Sequence, residues 1–422
     1  MKPSLRYRSF IGVTIASLSL IATFNVSAQP DPINAPTSTF IRSEANRIEL
    51  RGDTRAWDHY LQKIDRLVFE GRGQINVVHV GGSHIQADMW SMQMRKRLQH
   101  MVPGVRGSRG FIFPYNMAKS NNPYWYHPEF TGSWTSLKNT KKDEPGILGL
   151  AGYSVTTHDT TATLKISFRG DMYGGYTFNR IKVLHRQDSS FAIDAFTRDS
   201  SLSITKRSNS EEGYTEFTYT GQTDTLHLRI HQENTDQLRF TLYGIIMEND
   251  DPGFIYHACG VNGASTSSWL RCERFAEDLS LLSPDLVIFS IGINDAHDSQ
   301  FTEAKYKANY RQLIDRVRSV APGAAILLTT NTDSFVNRKV PNRNADKVRK
   351  VMQELSAEEG TAIWDMYEVM GGEGSIRSWE DAGLAKNDRV HFTRAGYTAL
   401  GDLLFSAMME NYGMHVQKAV RP

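Results

Sequence analysis

The stretch VVHVGGSHIQAD, residues 77–88, decides the fold class. It begins within a β-rich run at 75–80, passes through a Gly-Gly pair and leads into 89–98, whose spacing is that of a helix. A strand followed by a tight turn and a helix is the repeating unit of α/β proteins. We therefore expect the Ser83 hydroxyl to be exposed at the carboxyl end of a buried strand, although serine is also an ordinary helix N-cap.

The same alternation of strands and helices continues on both sides of this stretch. Residues 286–291 form a continuous apolar run, as expected for a strand covered on both faces. Further strands are predicted at 325–329 and 362–364. Four helices are predicted from the spacing of apolar residues. They lie at 55–69, in the segment that Thr302 would cap, around 348–355, and from about Thr393 to Glu410.

The pattern changes between residues 146 and 249. Short β-branched and aromatic runs, separated by Gly, Asn, Asp and Ser, occur at 163–168, 176–185, 191–196, 214–219, 225–231 and 238–247. Strands at this spacing indicate a β-sandwich or jelly roll. The sequence thus predicts one α/β domain in two parts, 46–145 and 250–415, interrupted by an inserted β domain at 146–249.

The N-terminal segment is predicted to be a signal peptide. Residues 1–28 hold a basic start, an apolar run at 10–24 and the small-residue site Val26-Ser27-Ala28. We expect residues 29–45 to be a linker and the protein to be exported, periplasmic or extracellular. An uncleaved membrane anchor is the alternative reading of residues 1–28, and no other segment has the composition of a membrane span.

Composition excludes several classes of protein. Apolar residues are 40% and charged residues 22% of the 422 residues, unlike a disordered chain. The net charge of +2 offers no broad basic field for a nucleic acid. Cys259 and Cys272 are too few for a disulfide framework or a four-thiolate zinc site, and their expected places in a strand and a helix favour free thiols.

Polar residues also follow other strands. Asn294 comes just after the most apolar run, where its amide could donate to an oxyanion or simply belong to a turn. Asp388 lies three residues before His391, a spacing that lets a carboxylate hold the imidazole tautomer. The alternative interpretation of Asp388 and His391 is a capped helix start with a solvated histidine. Gly263 follows the run 254–259. Its N–H could point into the same cleft as Ser83 and Asn294, or the residue could belong to a plain loop.

Taken together, these blocks resemble the SGNH (GDSL-type) hydrolase family. The matching stretches are VVHVGGSHIQAD at 77–88, GVNGAS at 260–265, FSIGIND at 289–295 and NDRVHFT at 387–393. The resemblance implies a three-layer α/β/α sandwich with a parallel sheet and serine esterase chemistry. Ser83 would be the nucleophile, His391 the base and Asp388 its orienter. It further implies an oxyanion hole made of the Ser83 N–H, the Gly263 N–H and the Asn294 side chain.

Gly82 departs from the family pattern, which usually has aspartate before the serine. The departure leaves the triad intact and raises the question of how the Ser83 turn is supported. Residues 83–88, the inserted β domain and the ending 388–397 are similar to the peptidoglycan O-acetylesterase branch of the family. This similarity implies an O-acetylated glycan as substrate, peptidoglycan above all, with no cofactor.

Other features have ordinary interpretations. Asp295, His297 and Asp298 are close in sequence but lack a regular metal-ligand spacing, so no metal is expected. The aromatic run 124–126 could border a sugar-binding cleft, although core packing is the commoner role of such residues.

Two other functions remain open from the sequence. An O-acetyltransferase would use the same triad and differ only in passing the acyl group to a sugar hydroxyl. A non-catalytic glycan-binding protein would use the β domain, with Gly82 as a sign of decay, but the intact Ser83, Asn294, Asp388 and His391 argue against it.

Overall fold

The computed structural model describes residues 36–169 and 176–420. The predicted signal peptide, 1–28, and residues 29–35 of the predicted linker lie outside these ranges. Within them, no helix is long and apolar enough to cross a membrane.

Strands and helices have the following bounds. The strands are β1 Ile48–Leu50, β2 Gln74–Gly81, β3 Gly110–Ile112, β4 Tyr126–Phe130, β5 Thr135–Lys138, β6 Tyr153–Thr157, β7 Thr161–Phe168, β8 Phe178–His185, β9 Ala192–Phe196, β10 Ile204–Asn209, β11 Tyr214–Thr223, β12 Thr225–His231, β13 Phe240–Glu248, β14 Gly253–Gly260, β15 Leu286–Ser290, β16 Ala325–Thr329, β17 Phe335–Val336, β18 Val340–Pro341 and β19 Ala362–Trp364. The helices are α1 Arg55–Glu70, α2 Ser83–Gln86, α3 Trp90–Gln99, α4 Thr266–Leu270, α5 Phe275–Ser280, α6 Ile293–Ala296, α7 Glu303–Val320, α8 Asn344–Glu359, α9 Met366–Val369, α10 Ser375–Asp381 and α11 Arg394–Val420.

A mixed sheet lies at the centre of the α/β part, with the strand order β1-β19-β16-β15-β2-β14. Five strands run parallel to one another, namely β19, β16, β15, β2 and β14. Strand β1 joins the edge of the sheet and is antiparallel to β19. Alternate side chains enter two cores. Val78 and Phe289 share one core with residues of α7 and α8. Val77 and Ile288 share the other with residues of α1, α3 and α11. Helices therefore cover both faces, and the predicted three-layer α/β/α architecture is confirmed.

The helices of this part match the sequence pattern closely. The five residues that α1 buries, Trp57, Tyr60, Leu61, Ile64 and Leu67, are those whose spacing predicts the helix. The side chain of Thr302 caps α7 by accepting the N–H of Lys305 at 3.3 Å. The last helix differs from expectation, since α11 continues to Val420 instead of ending near Glu410.

The β-rich region forms two further sheets. One has the order β10-β11-β8-β13-β6-β5, with β3 also paired to β13, and the other has the order β4-β7-β12-β9. Strands β3, β4 and β5 precede the predicted start of the insert at residue 146 and pair with strands that follow it. The β-rich region therefore includes strands that lie before residue 146, the predicted start of the insert.

The β-rich region and the α/β part share one hydrophobic core. Leu164 and Phe178 from the β-sheets belong to the same buried cluster as Val80 and Phe289 of the central sheet. Val261, which follows β14, is also fully buried in this cluster.

Candidate active site

The Ser83 turn connects β2 to α2 at the carboxyl end of the central sheet. A Cβ atom on Gly81 would overlap with Ile85 Cγ1 and lie 3.0 Å from the Ser290 carbonyl oxygen, so this position needs glycine. The close approach lets α2 begin immediately after the strand. Ser83, the first residue of α2, is partly exposed.

His391 and Asp388 meet Ser83 from the loop before α11. The Oγ of Ser83 lies 2.8 Å from Nε2 of His391, and Nδ1 of His391 lies 2.9 Å from Oδ2 of Asp388. The Asp388 Oδ1 accepts the backbone N–H of Val390 at 3.0 Å and of His391 at 2.8 Å. Between them, Arg389 adopts the left-handed region with φ 56°, which closes the turn. The structure brings together the three residues predicted as a triad.

Asp388 is held in its ionised form. Burial alone would raise its pKa, but hydrogen bonds from the N–H of His391, the His391 ring and the N–H of Val390 outweigh burial, and the pKa lies below the ordinary 3.8. An ionised Asp388 fixes a proton on Nδ1 and leaves Nε2 as the acceptor facing Ser83.

Asn294 and Gly263 lie on neighbouring turns beside Ser83. The Nδ2 of Asn294 donates to the carbonyl oxygen of Ala264 at 2.9 Å, which ties the start of α6 to the turn after β14. Gly263 sits in that turn, exposed and in the left-handed region with φ 81°. The N–H of Val261 donates to the Gly81 carbonyl oxygen at 3.2 Å and joins the same turn to the Ser83 turn.

Gly82 packs against the Asn294 amide. A Cβ on Gly82 would lie 3.2 Å from Asn294 Nδ2, 3.7 Å from the Ala264 carbonyl oxygen and 4.0 Å from that of Val261. The space in which the usual family aspartate would begin is therefore lined by the amide group and the backbone of the neighbouring turn. Hydrogen bonds to Gly81 and Ala264 hold these turns together without a side chain at position 82.

Gln86 joins three loops around the site, which the sequence did not reveal. Its side chain is 1% exposed. Its Oε1 accepts the N–H of Asn262 at 2.7 Å, and its Nε2 donates to the Ser120 hydroxyl at 2.8 Å and the Asn121 carbonyl at 3.1 Å. Gln86 lies one helical turn after Ser83 in a motif used for the family resemblance, and that spacing was the available signal.

His84 is a neutral neighbour of the triad. Its Nδ1 lies 2.8 Å from the Tyr397 hydroxyl, and its ring centroid is 5.5 Å from that of His391. Burial, reinforced by the nearby His391, lowers its pKa to about 3 despite the opposing effect of Asp388. His84 therefore adds no charge beside the His391 imidazole at neutral pH.

Two polar residues after Asn294, Asp295 and His297, have structural partners. Asp295 accepts the Thr266 hydroxyl at 2.6 Å and the Thr266 N–H at 3.1 Å, and thereby holds the start of α4. Nε2 of His297 lies 3.1 Å from the Ser334 hydroxyl. In the described ranges, no three His, Cys, Asp or Glu side chains are grouped so that they could hold a metal ion.

The cysteines and the aromatic run are mostly part of the interior. Cys259 and Cys272 are buried free thiols. Trp125 and Tyr126 are buried as well, whereas Tyr124 is 46% exposed. Core packing, the alternative stated for this run, thus accounts for two of its three members.

Part of the chain matches a known protein family. Residues 243–399 match the GDSL-like Lipase/Acylhydrolase family, a range that includes Gly263, Asn294, Asp388 and His391 but not Ser83. The search of curated proteins found no match.

A solved structure shares the fold over most of the chain. A peptidoglycan O-acetylesterase superposes with a TM-score of 0.69 at 22% identity, over 87% of this chain and 99% of that one. Shorter matches include a lipase/acylhydrolase from Enterococcus faecalis, with a TM-score of 0.31 and 24% identity over 38% of this chain and 77% of that chain. An acetylxylan esterase from Geobacillus stearothermophilus has a TM-score of 0.30 and 24% identity, over 38% and 73% of the two chains.

Residues 243–399 therefore match a GDSL-like lipase/acylhydrolase domain, and the chain has the SGNH hydrolase fold with an additional β-rich region. The fold class predicted from the sequence is confirmed, and the family match over residues 243–399 agrees with the predicted family. The family description also agrees with the predicted class of enzyme, a carboxylic ester hydrolase.

Proposed function

We propose that this protein is an exported serine esterase that removes O-acetyl groups from a glycan, with peptidoglycan as the substrate. The hydrogen-bonded chain Ser83–His391–Asp388, with links of 2.8 and 2.9 Å, is the observation that carries the proposal. The likeness in fold to a peptidoglycan O-acetylesterase over 87% of the chain supports the choice of glycan. Export is proposed from the composition of residues 1–28.

Acylation begins when Ser83 Oγ attacks the acetyl carbonyl carbon and its proton passes to His391 Nε2. The negative charge that develops on the carbonyl oxygen is stabilised by the N–H groups of Ser83 and Gly263 and by an N–H of Asn294. One Asn294 amide proton is used by the Ala264 carbonyl, so its second proton serves the oxyanion. When the C–O bond to the sugar breaks, the sugar oxygen takes the proton from His391 and leaves as an alcohol.

Deacylation repeats the same proton transfers with water. His391 Nε2 takes a proton from water as the water oxygen attacks acetyl-Ser83, and it returns that proton to Ser83 Oγ as the ester bond breaks. Acetate and a proton are released, and the enzyme regains its starting state. A glycan hydroxyl in place of water would make the same protein an acetyltransferase, so the two outcomes differ only in the acceptor.

Acetate release from O-acetylated peptidoglycan tests the proposal. We expect wild-type protein to release acetate in water without an added glycan acceptor, and Ser83→Ala to release none. Ser319→Ala is a matched control, because Ser319 is exposed near the end of α7 and its hydroxyl bonds only to its own helix at the Arg316 carbonyl.

A covalent probe separates nucleophilic reactivity from substrate choice. A fluorophosphonate should label wild-type protein at Ser83, as located by peptide mass spectrometry, and should not label Ser83→Ala. A folded Ser83→Ala variant that keeps wild-type turnover, with circular dichroism as the folding control, would show that the site has been assigned wrongly.

A further inference from the structure

His297 is an exposed histidine that the proposed reaction does not use. It follows the last residue of α6, the helical turn that carries Asn294, and its N–H donates to the carbonyl oxygen of Ile293 at 3.1 Å. Residues three positions apart on a helical turn are neighbours, so His297 adjoins Asn294. The imidazole of His297 is therefore placed beside the predicted oxyanion hole.

The ring of His297 is anchored on a buried segment. Its Nε2 atom lies 3.1 Å from the hydroxyl oxygen of Ser334, and Ser334 is fully buried. Ser334 is the last residue of the run TTNTDS at 329–334, and all six residues of this run are buried. A hydrogen bond to a partner fixed in this way holds the orientation of an exposed ring.

The same segment is bonded to the loop of the triad. Phe335 follows Ser334, and its N–H donates to the carbonyl oxygen of Arg389 at 3.0 Å. Arg389 closes the turn between Asp388 and His391. The segment that anchors the His297 ring thus lies directly against the turn that presents the His391 imidazole.

The imidazoles of His297 and His391 are close enough to interact electrostatically. Partial burial of the His297 ring lowers its pKa below the ordinary value, and the charge of His391 lowers that pKa further. The ring is therefore neutral at neutral pH and carries one proton on its two nitrogen atoms. Nε2 faces Ser334, whereas Nδ1 has no hydrogen-bond partner among the residues that the structure describes.

This second nitrogen atom suits a hydroxyl group. The Ser334 hydroxyl can donate to Nε2 or accept from it, so Nδ1 is a donor in one tautomer and an acceptor in the other. A hydroxyl group matches both tautomers because it donates and accepts, whereas a carboxylate only accepts. A sugar offers such hydroxyl groups on the carbon atoms next to its ester, on the alcohol side of the bond that Ser83 would cleave.

We infer that His297 is a substrate-binding residue, and that its Nδ1 atom forms a hydrogen bond with a hydroxyl group of the sugar that carries the acetyl ester. His297 makes the enzyme prefer acetyl esters of sugars over acetyl esters of alcohols that have no second hydroxyl group. The inference rests on the proposed esterase function and specifies how the same site recognises the alcohol half of the ester.

Two substitutions separate the roles of the two nitrogen atoms. The side-chain amide of asparagine reaches about as far as Nδ1 of histidine, and that of glutamine about as far as Nε2. His297→Asn should therefore keep the contact with the sugar, and His297→Gln should keep the contact with Ser334 alone. The substrates are a monoacetylated methyl glucoside and cyclohexyl acetate, which share a six-membered ring and differ in the neighbouring hydroxyl groups.

On the sugar ester, we expect kcat/KM to fall about five- to tenfold in His297→Gln, the usual effect of one neutral hydrogen bond, and to fall less in His297→Asn. On cyclohexyl acetate, both variants should match the wild type. His59→Ala, which changes an exposed histidine of α1, is the matched control and should alter neither activity.

Three kinetic results would overturn the inference. Equal losses on the two esters, or a larger loss in His297→Asn than in His297→Gln, would mean that the ring only supports the fold through Ser334. Unchanged kinetics in both variants would mean that the ring does not contact the sugar.

Binding distinguishes a failure of this inference from a failure of the proposed function. In a Ser83→Ala background, calorimetry with soluble O-acetylated peptidoglycan fragments should show weaker binding after His297→Gln than after His297→Asn. If the wild type hydrolyses neither ester and releases no acetate from peptidoglycan, the esterase proposal fails, and the order of affinities still decides whether His297 contacts the glycan. Equal affinities, or no measurable binding, would then overturn the contact.

Discussion

Ser83 and His391 are 308 positions apart in the chain, and their Oγ and Nε2 atoms lie 2.8 Å from each other. Two elements bring them together. The glycine-supported turn after β2 exposes Ser83 at the sheet edge, and the tight turn at Arg389 before α11 presents His391 to it. Each turn is short and held by backbone hydrogen bonds, so the contact is formed before any substrate binds. The following predictions test what each part of this arrangement contributes.

Replacing Asp388 with asparagine should lower kcat by roughly 10⁴-fold, because an amide leaves the His391 ring in the wrong tautomer. The backbone N–H groups of Val390 and His391 can still donate to Oδ1 of the asparagine, so the turn should remain folded. Steady-state kinetics on an acetyl ester measures the loss. Asp236→Asn, an exposed aspartate of the β-rich region, should leave kcat unchanged.

Asp388→Asn also tests how the activity depends on pH. The lowered pKa of Asp388 means that its contribution is present above the ordinary 3.8 and is lost only as the pH falls further. An acid loss of wild-type activity above pH 3.8 is therefore not expected to come from protonation of Asp388. The measurement is the pH–kcat/KM profile of the wild type and of Asp388→Asn, and an acid loss above pH 3.8 that disappears in Asp388→Asn would contradict this expectation.

Asn294→Ala should keep the nucleophile and weaken the oxyanion hole. The expected loss in kcat is roughly 10²–10³-fold, the usual effect of one donor. Fluorophosphonate labelling at Ser83 should still occur, more slowly than in the wild type. If kcat stays within about twofold of the wild type, the Asn294 amide does not stabilise the transition state.

Gly82→Ala tests the contact with the Asn294 amide. The new Cβ would lie 3.2 Å from Nδ2, which is tighter than ordinary packing, so the amide must shift away. We expect kcat to fall by about tenfold, part of the value of that donor, with little change in KM. Gly323→Ala is the control, because a Cβ there meets nothing within 4 Å. A Gly82→Ala variant more active than the wild type would show that the missing side chain limits the rate.

Gln86 is expected to act as a positioning residue for the turn that carries Gly263. Gln86→Met removes the acceptor of the Asn262 N–H and both donated hydrogen bonds, and kcat should fall by up to roughly 10²-fold, the value of an oxyanion donor that has lost its geometry. Gln86→Glu keeps an acceptor for Asn262 and should recover part of kcat. A merely structural role would lower stability in both variants without this rescue. Gln312→Met, an exposed glutamine on α7, is the control.

Asp295 should make stability depend on pH. Burial raises its pKa from 3.8 to about 6, so the folded state binds a proton more tightly than the unfolded state, and stability falls as the pH rises from 3.8 through about 6. A shift of about 2 units corresponds to about 3 kcal/mol at most. Asp295→Asn cannot ionise, so urea unfolding at pH 4 and pH 7 should show a smaller difference than in the wild type. Asp315→Asn, on the exposed face of α7, should behave as the wild type.

The central sheet and its helices could be predicted because burial on both faces leaves a continuous apolar run. The apolar runs 286–291 and 325–329 predict strands β15 and β16 almost residue for residue. Strand β10 was missed because it is an edge strand, and most of its residues are exposed. Its sequence, ITKRSN, has no apolar alternation to detect.

The start of the β-rich region was harder to predict for a different reason. Strands β4 and β5 are short, and their partners, β7 and β6, lie later in the chain. Pairing of this kind is set by tertiary contacts and leaves little trace in a local pattern. The role of Gln86 could not be predicted for a similar reason. Its partners come from loops that only the folded chain brings together, namely those of Ser120, Asn121 and Asn262.

The buried cluster that joins Leu164 and Phe178 to Val80 and Phe289 has a consequence for how this molecule can be altered. A module held only by linkers can be removed or exchanged, and it melts independently of its neighbour. Here, excision of the β-sheets would expose the apolar flank of the central sheet to water, so heating should melt both parts in a single cooperative transition. Sequence change on either side of the cluster is then constrained by the other side, because residues of both parts fill the same core.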